Sequence, residues 1–536
     1  MIRLRVKLDP DKPVAGPLSR RERWLRAIPW IISVVTHGLV CLVLGVALFL
    51  GDPAGGGGGI GDGLTGLFGG EESGDLTALT NLDGLGDSQS LFPQGADALI
   101  ETIMTPTLAA VDTAMMRPPA LDERLRGGAT PLDGSAGLGE ERPRGLVGEG
   151  QRLGDGKPSK VPLSGRNGPL KTTLLQIGGA TPASEAAVER GLAWLARHQR
   201  YDGSWCLDTS EMCREAVPCP PSRAMSSDTA ATGLALLAFL GAGHSHTKEG
   251  RYQANVTRGL KWLVNHRTGD GNFYTGGAPM AHLYSQAIAT MAVCEAYALT
   301  EDPALKTHAE KGLGFILRAQ NKLEGGWRYT PTIDGDTSVF GWQMFALRSG
   351  QFAGFNVPKK TVSLSRLYLD HAATDKRRVT YGYQPGRPAM PVMTAEALLC
   401  RQYLGWAKDD PRLVEGVSLI AGDLEAAQGR NIYYWYYATQ LLHNMGGSAW
   451  KNWNERVREG LVAEQIQQRG CALGSWDPAW PQEDQWGARA GRLYQTALSL
   501  LTLEVYYRFL PLYKTDDLEI VGNEMAKDKE PDKQTP

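Results

Sequence analysis

The chain is 536 residues long, with a formal net charge of −2 and a pI near 6.5. That length allows one large core or several small ones; the charge excludes nucleic acid as the main partner, because no net basic field exists to neutralise phosphates. Of the 14 tryptophans all but Trp24 and Trp30 lie beyond Gly191, whereas the glycine excess gathers between Gly51 and Gly179, so the chain reads as two materials joined in series.

The first predicted element is an uncharged apolar run, Ile28 to Leu50, with Pro29 at its start and His37 inside it. It exceeds the ~20 residues needed to cross a bilayer. Basic residues precede it (Arg3, Arg5, Lys7, Lys12, Arg20, Arg21, Arg23 and Arg26), and Asp52, Asp62, Glu71 and Glu72 follow. This asymmetry predicts a single-pass helix with residues 1–27 in the cytoplasm and the rest outside it, in a periplasm-like space. A cleaved signal is the rival, but its apolar core is usually ~7–15 residues and an A-x-A site should follow. The membrane is therefore an expected partner through Ile28–Leu50.

Residues 51–183 show no sustained helical or strand period and include the unbroken glycine run Gly55–Gly59. Such a segment cannot bury enough apolar surface to offset its ordering entropy, and a disordered linker is expected. Ile100–Met116 is its most apolar stretch.

From Ser184 the sequence repeats. One unit runs from Arg190-Gly191 through Trp194-Leu195 and Gln199 to Gly203-Ser204-Trp205; its apolar residues keep helical spacing until a glycine turn breaks it. Further copies run from Arg258-Gly259 to Gly271-Asn272-Phe273, with Arg267 in the glutamine slot, and from Lys311-Gly312 through Gln320 to Gly326-Trp327. A late copy runs from Gly460-Leu461 through Gln468 to Gly474-Ser475-Trp476. A more apolar helix follows each turn, predicted over residues 228–240, 284–299, 336–349, 394–406, 432–445 and 494–510. Asp302-Pro303 and Asp410-Pro411 mark the return, aspartate as N-cap and proline opening the next helix. Six hairpins of about 50 residues predict an all-α (α/α)6 toroid over residues 184–513, amphipathic helices outside and apolar ones inside, with a charged disordered tail at 514–536.

The unit around Gln199, Gly203 and Trp205 resembles the QW motif of squalene–hopene and related triterpene cyclases, and with it the terpenoid-cyclase and prenyltransferase toroids. Gln320, Trp327 and Trp476 repeat it in part. The resemblance implies that these residues are structural staples, each glutamine bonding the next inner helix beneath its tryptophan. It implies an acid in an Asp-x-Asp-Asp-Thr motif, for which Asp334-Gly335-Asp336-Thr337 is the nearest phrase; Gly335 then stands where the proton donor belongs. Asp334 and Asp336 are the candidate catalytic acids, although Asp336, like Asp228, also suits a helix cap. The zinc motif of protein prenyltransferases, Asp-x-Cys, does not occur, and Asp409-Asp410 and Asp516-Asp517 lack the third aspartate of DDxxD.

The residues expected to line the cavity are Tyr284, Trp342, Tyr433, Trp435, His443 and Tyr494, with His282 and His443 as possible acid–base groups. Among Cys206, Cys213 and Cys219, two could pair in an oxidising compartment. The missing CxxC and the lack of a fourth ligand speak against zinc, so no metal or cofactor is expected. Three functions remain: a toroid that binds an apolar or isoprenoid small molecule or an envelope protein; an isoprenoid cyclase using Asp334 or Asp336; and a glycan-active enzyme with paired carboxylates.

Overall fold

The computed structural model describes residues 152–153, 161–213, 218–220, 224–422 and 430–513. All the described residues belong to one compact unit.

A 3-10 turn at Val161–Arg166 leads into α1 (Gly168–Gly178). Six outer helices then alternate with six inner ones. The outer helices are α2 (Pro182–Arg197), α4 (Gln253–His266), α6 (Pro303–Ala319), α8 (Lys359–Ala372), α10 (Pro411–Gly422) and α12 (Gly447–Glu464). The inner helices are α3 (Asp228–Gly241), α5 (His282–Thr300), α7 (Thr337–Phe352), α9 (Pro391–Tyr403), α11 (Ile432–Met445) and α13 (Gly487–Leu503). A last turn, α14, spans Val505–Arg508. The inner helices pack in the order α3, α5, α7, α9, α11, α13, and α13 returns to α3, so the ring closes. Among the described residues β pairing is limited to isolated bridges.

Local signals set these helices. Thr181 and Ser184 form a reciprocal capping box at α2 with Pro182 behind it, and Asp302 caps α6 with Pro303 at its first position. The sixth inner helix starts at Gly487 rather than at the expected residue 494, and breaks its helical geometry at Gly491 before running to Leu503.

The repeat motif works between units. Gln199 Nε2 donates to Gly203 O and to Asn255 O, both at 2.9 Å, while its Oε1 accepts from Asn255 and Arg258. Asn255 lies on α4, so the glutamine stitches outer helix to outer helix rather than reaching an inner helix as expected. Gln320 makes the same bridge to Thr361 O on α8. In the late copy the role falls to Gln465, not Gln468: its Nε2 donates to Ala187 O on α2 at 2.8 Å and joins the last unit to the first. Trp205, Trp327 and Trp476 are fully buried, each donating its indole N–H to an outer-helix carbonyl, those of Leu195, Ile316 and Leu461. Gly203 sits at φ +96°, and a Cβ there would lie 2.5 Å from Arg258 O. Only glycine combines that backbone with so close an approach. Gly259, next in the chain, leaves room for the Trp205 ring.

Two expectations need correction. Residues 161–178, assigned to the linker, are folded: Leu174 and Arg166 are buried, Gly178 lies against Tyr506, and Gly179 closes α1 in the left-handed region. Within the same linker assignment, Leu153 N–H donates to Tyr403 O. The glycines here serve close packing and a helix stop, which composition alone reads as disorder. The second correction concerns location. No helix of the described residues is long and apolar enough to cross a membrane, because the inner helices carry Gln286, Glu295, Gln343 and Arg348. The predicted span Ile28–Leu50 lies outside the described residues, as do most of the remaining linker and the tail at 514–536. The extracytoplasmic placement is accordingly withdrawn.

Candidate functional site at the N-terminal mouth of the ring

Because each inner helix follows an outer one, all six inner helices run the same way. Contacts between their starts trace one rim: Met225 N–H to Arg489 O, Ser227 Oγ to Ser285 Oγ, Tyr284 OH to Ser338 Oγ, Thr337 N–H to Tyr383 O and Ile432 N–H to Asp484. Six helix N-termini therefore share this mouth.

Asp336 caps α7 from the rim. Its Oδ1 accepts from Val339 N–H at 2.7 Å. Its Oδ2 accepts no hydrogen bond and faces Arg328 Nε at 3.6 Å. Complete burial disfavours the charged form and raises the carboxyl to about 7, against the pull of the Val339 N–H and Arg328. A second carboxyl, Glu396 on α9, is also fully buried and pushed well above the usual carboxylate range by desolvation. Sequence reasoning missed Glu396, which sits mid-helix without a motif.

Tyrosine hydroxyls join these acids. Ser338 Oγ accepts from Tyr284 OH at 2.8 Å and shares a 2.7 Å bond with Tyr433 OH. Tyr433 OH also receives Trp342 Nε1–H at 3.1 Å and reaches Glu396 Oε1 at 3.4 Å. Tyr329 and Tyr383 hydroxyls bond at 2.5 Å. Tyr284, Tyr329 and Tyr494 are half-buried at the mouth. Burial raises all these phenols, most of them well above their ordinary range, so they stay neutral donors.

The expected residues thus fall into separate groups. Asp336, Tyr284, Trp342 and Tyr433 come together with Tyr494 at the mouth, but Asp334 does not join them as an acid. It is exposed on the preceding loop, with Asn321 Nδ2 at 3.5 Å. Trp435 is half-buried and stands apart from the buried Tyr433, Tyr434, Tyr436 and Tyr437. His443 lies at the other end of α11, in edge contact with Trp450. Burial lowers it to about 4, so it is neutral at pH 7. His282 stacks on Tyr274 and meets Asn272 Oδ1.

The expected cavity is occupied. Trp342 and Phe345 on α7 stack against Tyr436 and Tyr437 on α11, with centroids 5.8 Å and 5.4 Å apart. These two helices are separated by α9 in the ring, so their side chains meet inside the ring, in front of α9. At the C-terminal end Arg166 donates to Leu240 O, bonds Glu295 at 2.7 Å and lies beside Arg508. Burial pushes Glu295 up, but Arg166 and Arg508 outweigh it and hold the carboxyl below its usual range. The arginines complement the helix C-termini gathered there. A cavity of about 20 Å³, room for one water, lies among Arg348, Tyr403, Gln440, His443, Asn444 and Arg508.

A third group contradicts the expectation of no metal ligands: His198, Cys213, Cys219 and Cys471 bring one ligand atom each within 4.8 Å of one another. Cys206, grouped with two of them by sequence, instead approaches Asp208 O. The fourth ligand was invisible because Cys471 is 273 residues from His198.

No protein-family model and no curated protein matches the chain. Among solved structures, the chain is similar to the α-1,6-mannanase GH76A of Salegentibacter sp. HEL1_6, at 12% identity, covering 60% of this chain and 98% of that one, with a TM-score of 0.43. It is also similar to a variant of the type II terpene cyclase MstE from Scytonema, at 12% identity, 63% and 99% coverage and a TM-score of 0.39. Likeness of this degree carries no substrate with it.

Proposed function

We propose that this chain is a binding toroid of the terpenoid-cyclase type rather than a cyclase, and that it holds a neutral, hydroxyl-bearing ligand at the N-terminal mouth. One observation carries the reading: aromatic side chains from α7 and α11 meet inside the ring, in front of α9, and take up interior space that a polyprene would need. Tyr284, Tyr329 and Tyr494 offer neutral phenols that both donate and accept, and aromatic faces that suit a sugar-like surface. The helix N-termini favour anions, but Asp336 and Asp484 already accept the rim N–H groups of Val339 and Ile432, which leaves fewer donors for an anion and the mouth better suited to uncharged groups.

The test is calorimetric titration with α-1,6-mannotriose and with geranylgeraniol, beside incubation with squalene and product analysis by gas chromatography. Binding of the saccharide, weakened at least tenfold in the double variant Tyr284→Phe, Tyr494→Ala, is expected, with squalene unchanged. A cyclised product from wild type that disappears in Asp336→Asn but persists in Asp334→Asn would overturn the reading. That outcome belongs to a second reading, acid catalysis by Asp336, which rests on its carboxyl titrating near 7 with Oδ2 open beside Arg328.

A further inference from the structure

We propose that His198, Cys213, Cys219 and Cys471 bind one zinc ion, and that this ion clasps the seam where the first and last units of the ring meet. The four side chains come from three separate places. His198 is the C-cap of α2, Cys213 and Cys219 lie in the loop between α2 and α3, and Cys471 lies in the turn after α12. The loop leads into the first inner helix and the turn belongs to the last hairpin, so a shared ligand set ties the two ends of the ring together.

The distances suit the ion. With Zn–S near 2.3 Å and Zn–N near 2.05 Å, a tetrahedron has N···S edges of about 3.6 Å and S···S edges of about 3.8 Å. His198 Nε2 lies 3.2 Å from Cys471 Sγ, 3.5 Å from Cys213 Sγ and 3.7 Å from Cys219 Sγ. The histidine is oriented as a ligand must be: Nδ1 is 2.9 Å from Trp194 O, which fixes the proton on Nδ1 and turns the Nε2 lone pair toward the sulfurs. Trp194 stacks on the imidazole at 4.2 Å and holds its plane. Cys219 N–H donates to Cys213 Sγ at 3.1 Å, the bond that supports a metal-bound thiolate. His198, Cys219 and Cys471 are buried, and Cys213 is half-buried.

The chemistry selects zinc over the alkaline earths, since three sulfurs and one imidazole form a soft set that closes a tetrahedron and leaves no open position. On binding, the three thiols release their protons to solvent, and the ion with three thiolates carries a net charge of −1. Arg492 on α13 lies close enough to act electrostatically on both His198 and Cys219, and partly offsets that charge. A closed site of this kind does structural work, reinforcing the seam bond from Gln465 to Ala187.

The experiment is metal analysis by inductively coupled plasma mass spectrometry on the purified full chain, with thiol counting under denaturing conditions. One zinc per chain is expected in wild type and in Cys206→Ser, which lies outside the cluster, and less than a tenth of that in Cys471→Ser and His198→Ala. Should those variants fail to fold, chelation and reloading of wild type with Co(II) provides an independent reading. The intense visible bands and sulfur charge-transfer absorption of a tetrahedral thiolate site are expected, together with a lower melting temperature in the chelated protein. Zinc-free protein with all thiols reduced and no cobalt spectrum would overturn the proposal, as would a mass deficit mapping to a disulfide between two of the three cysteines.

Discussion

Replacing Trp205 by alanine isolates what the repeat motif contributes. The indole is fully buried, packs toward Phe239 and fills the space that Gly259 leaves open on the next outer helix. Truncating a buried aromatic to alanine costs about 3–5 kcal/mol, because lost transfer energy and an unfilled cavity add. The indole N–H also donates to Leu195 O at 2.8 Å; that carbonyl keeps the His198 N–H at 3.1 Å, so losing the indole bond costs about 0.5–1.5 kcal/mol. Trp205→Phe keeps most of the ring and loses the bond. The second unit already carries Phe273 in this place, fully buried against Gly312, so phenylalanine fits the niche. Urea unfolding followed by far-ultraviolet circular dichroism should therefore rank wild type above the phenylalanine variant, about 0.5–1.5 kcal/mol lower, and that above alanine, about 3.5–6.5 kcal/mol below wild type. An alanine variant within 1 kcal/mol of wild type, or a phenylalanine variant as damaged as alanine, would show that this reasoning misassigns the motif.

Two further outcomes follow from buried charge. Asp336 has a folded-state pKa near 7, above its ordinary 3.8, so the folded protein binds more protons than the unfolded chain between those values. Its contribution is full below about pH 4 and falls as pH rises through 7. Asp336→Asn, which keeps a capping oxygen, should remove that slope, so its melting temperature relative to wild type rises between pH 5 and pH 8 in scanning calorimetry. Arg166→Met should cost about 3–5 kcal/mol in urea unfolding, since it leaves Glu295 buried with only part of its compensation; an unchanged midpoint would mean that residues 161–178 are dispensable to the ring.

The sequence by itself determined the repeat and much of the local architecture. Helical periodicity, proline after an aspartate cap, and glycine turns act over a few residues, so the hairpins around Trp205, Trp327 and Trp476 could be read without tertiary information. Only the tertiary structure decided what those signals join. The motif glutamines turned out to bridge neighbouring outer helices, and Gln465 took a role that spacing had assigned to Gln468. Glycines at residues 165–179 looked like linker until close packing against Tyr506 and Leu174 gave them a use. The same holds for chemistry. Asp336 was visible as a cap, but its burial, its approach to Arg328 and its company of tyrosines depend on loops and on helices two places apart in the ring. The histidine and three cysteines carry no local pattern at all, because ring closure is what brings Cys471 to His198. Short-range propensity writes itself into neighbouring residues, whereas desolvation and ligand convergence exist only once distant segments have packed.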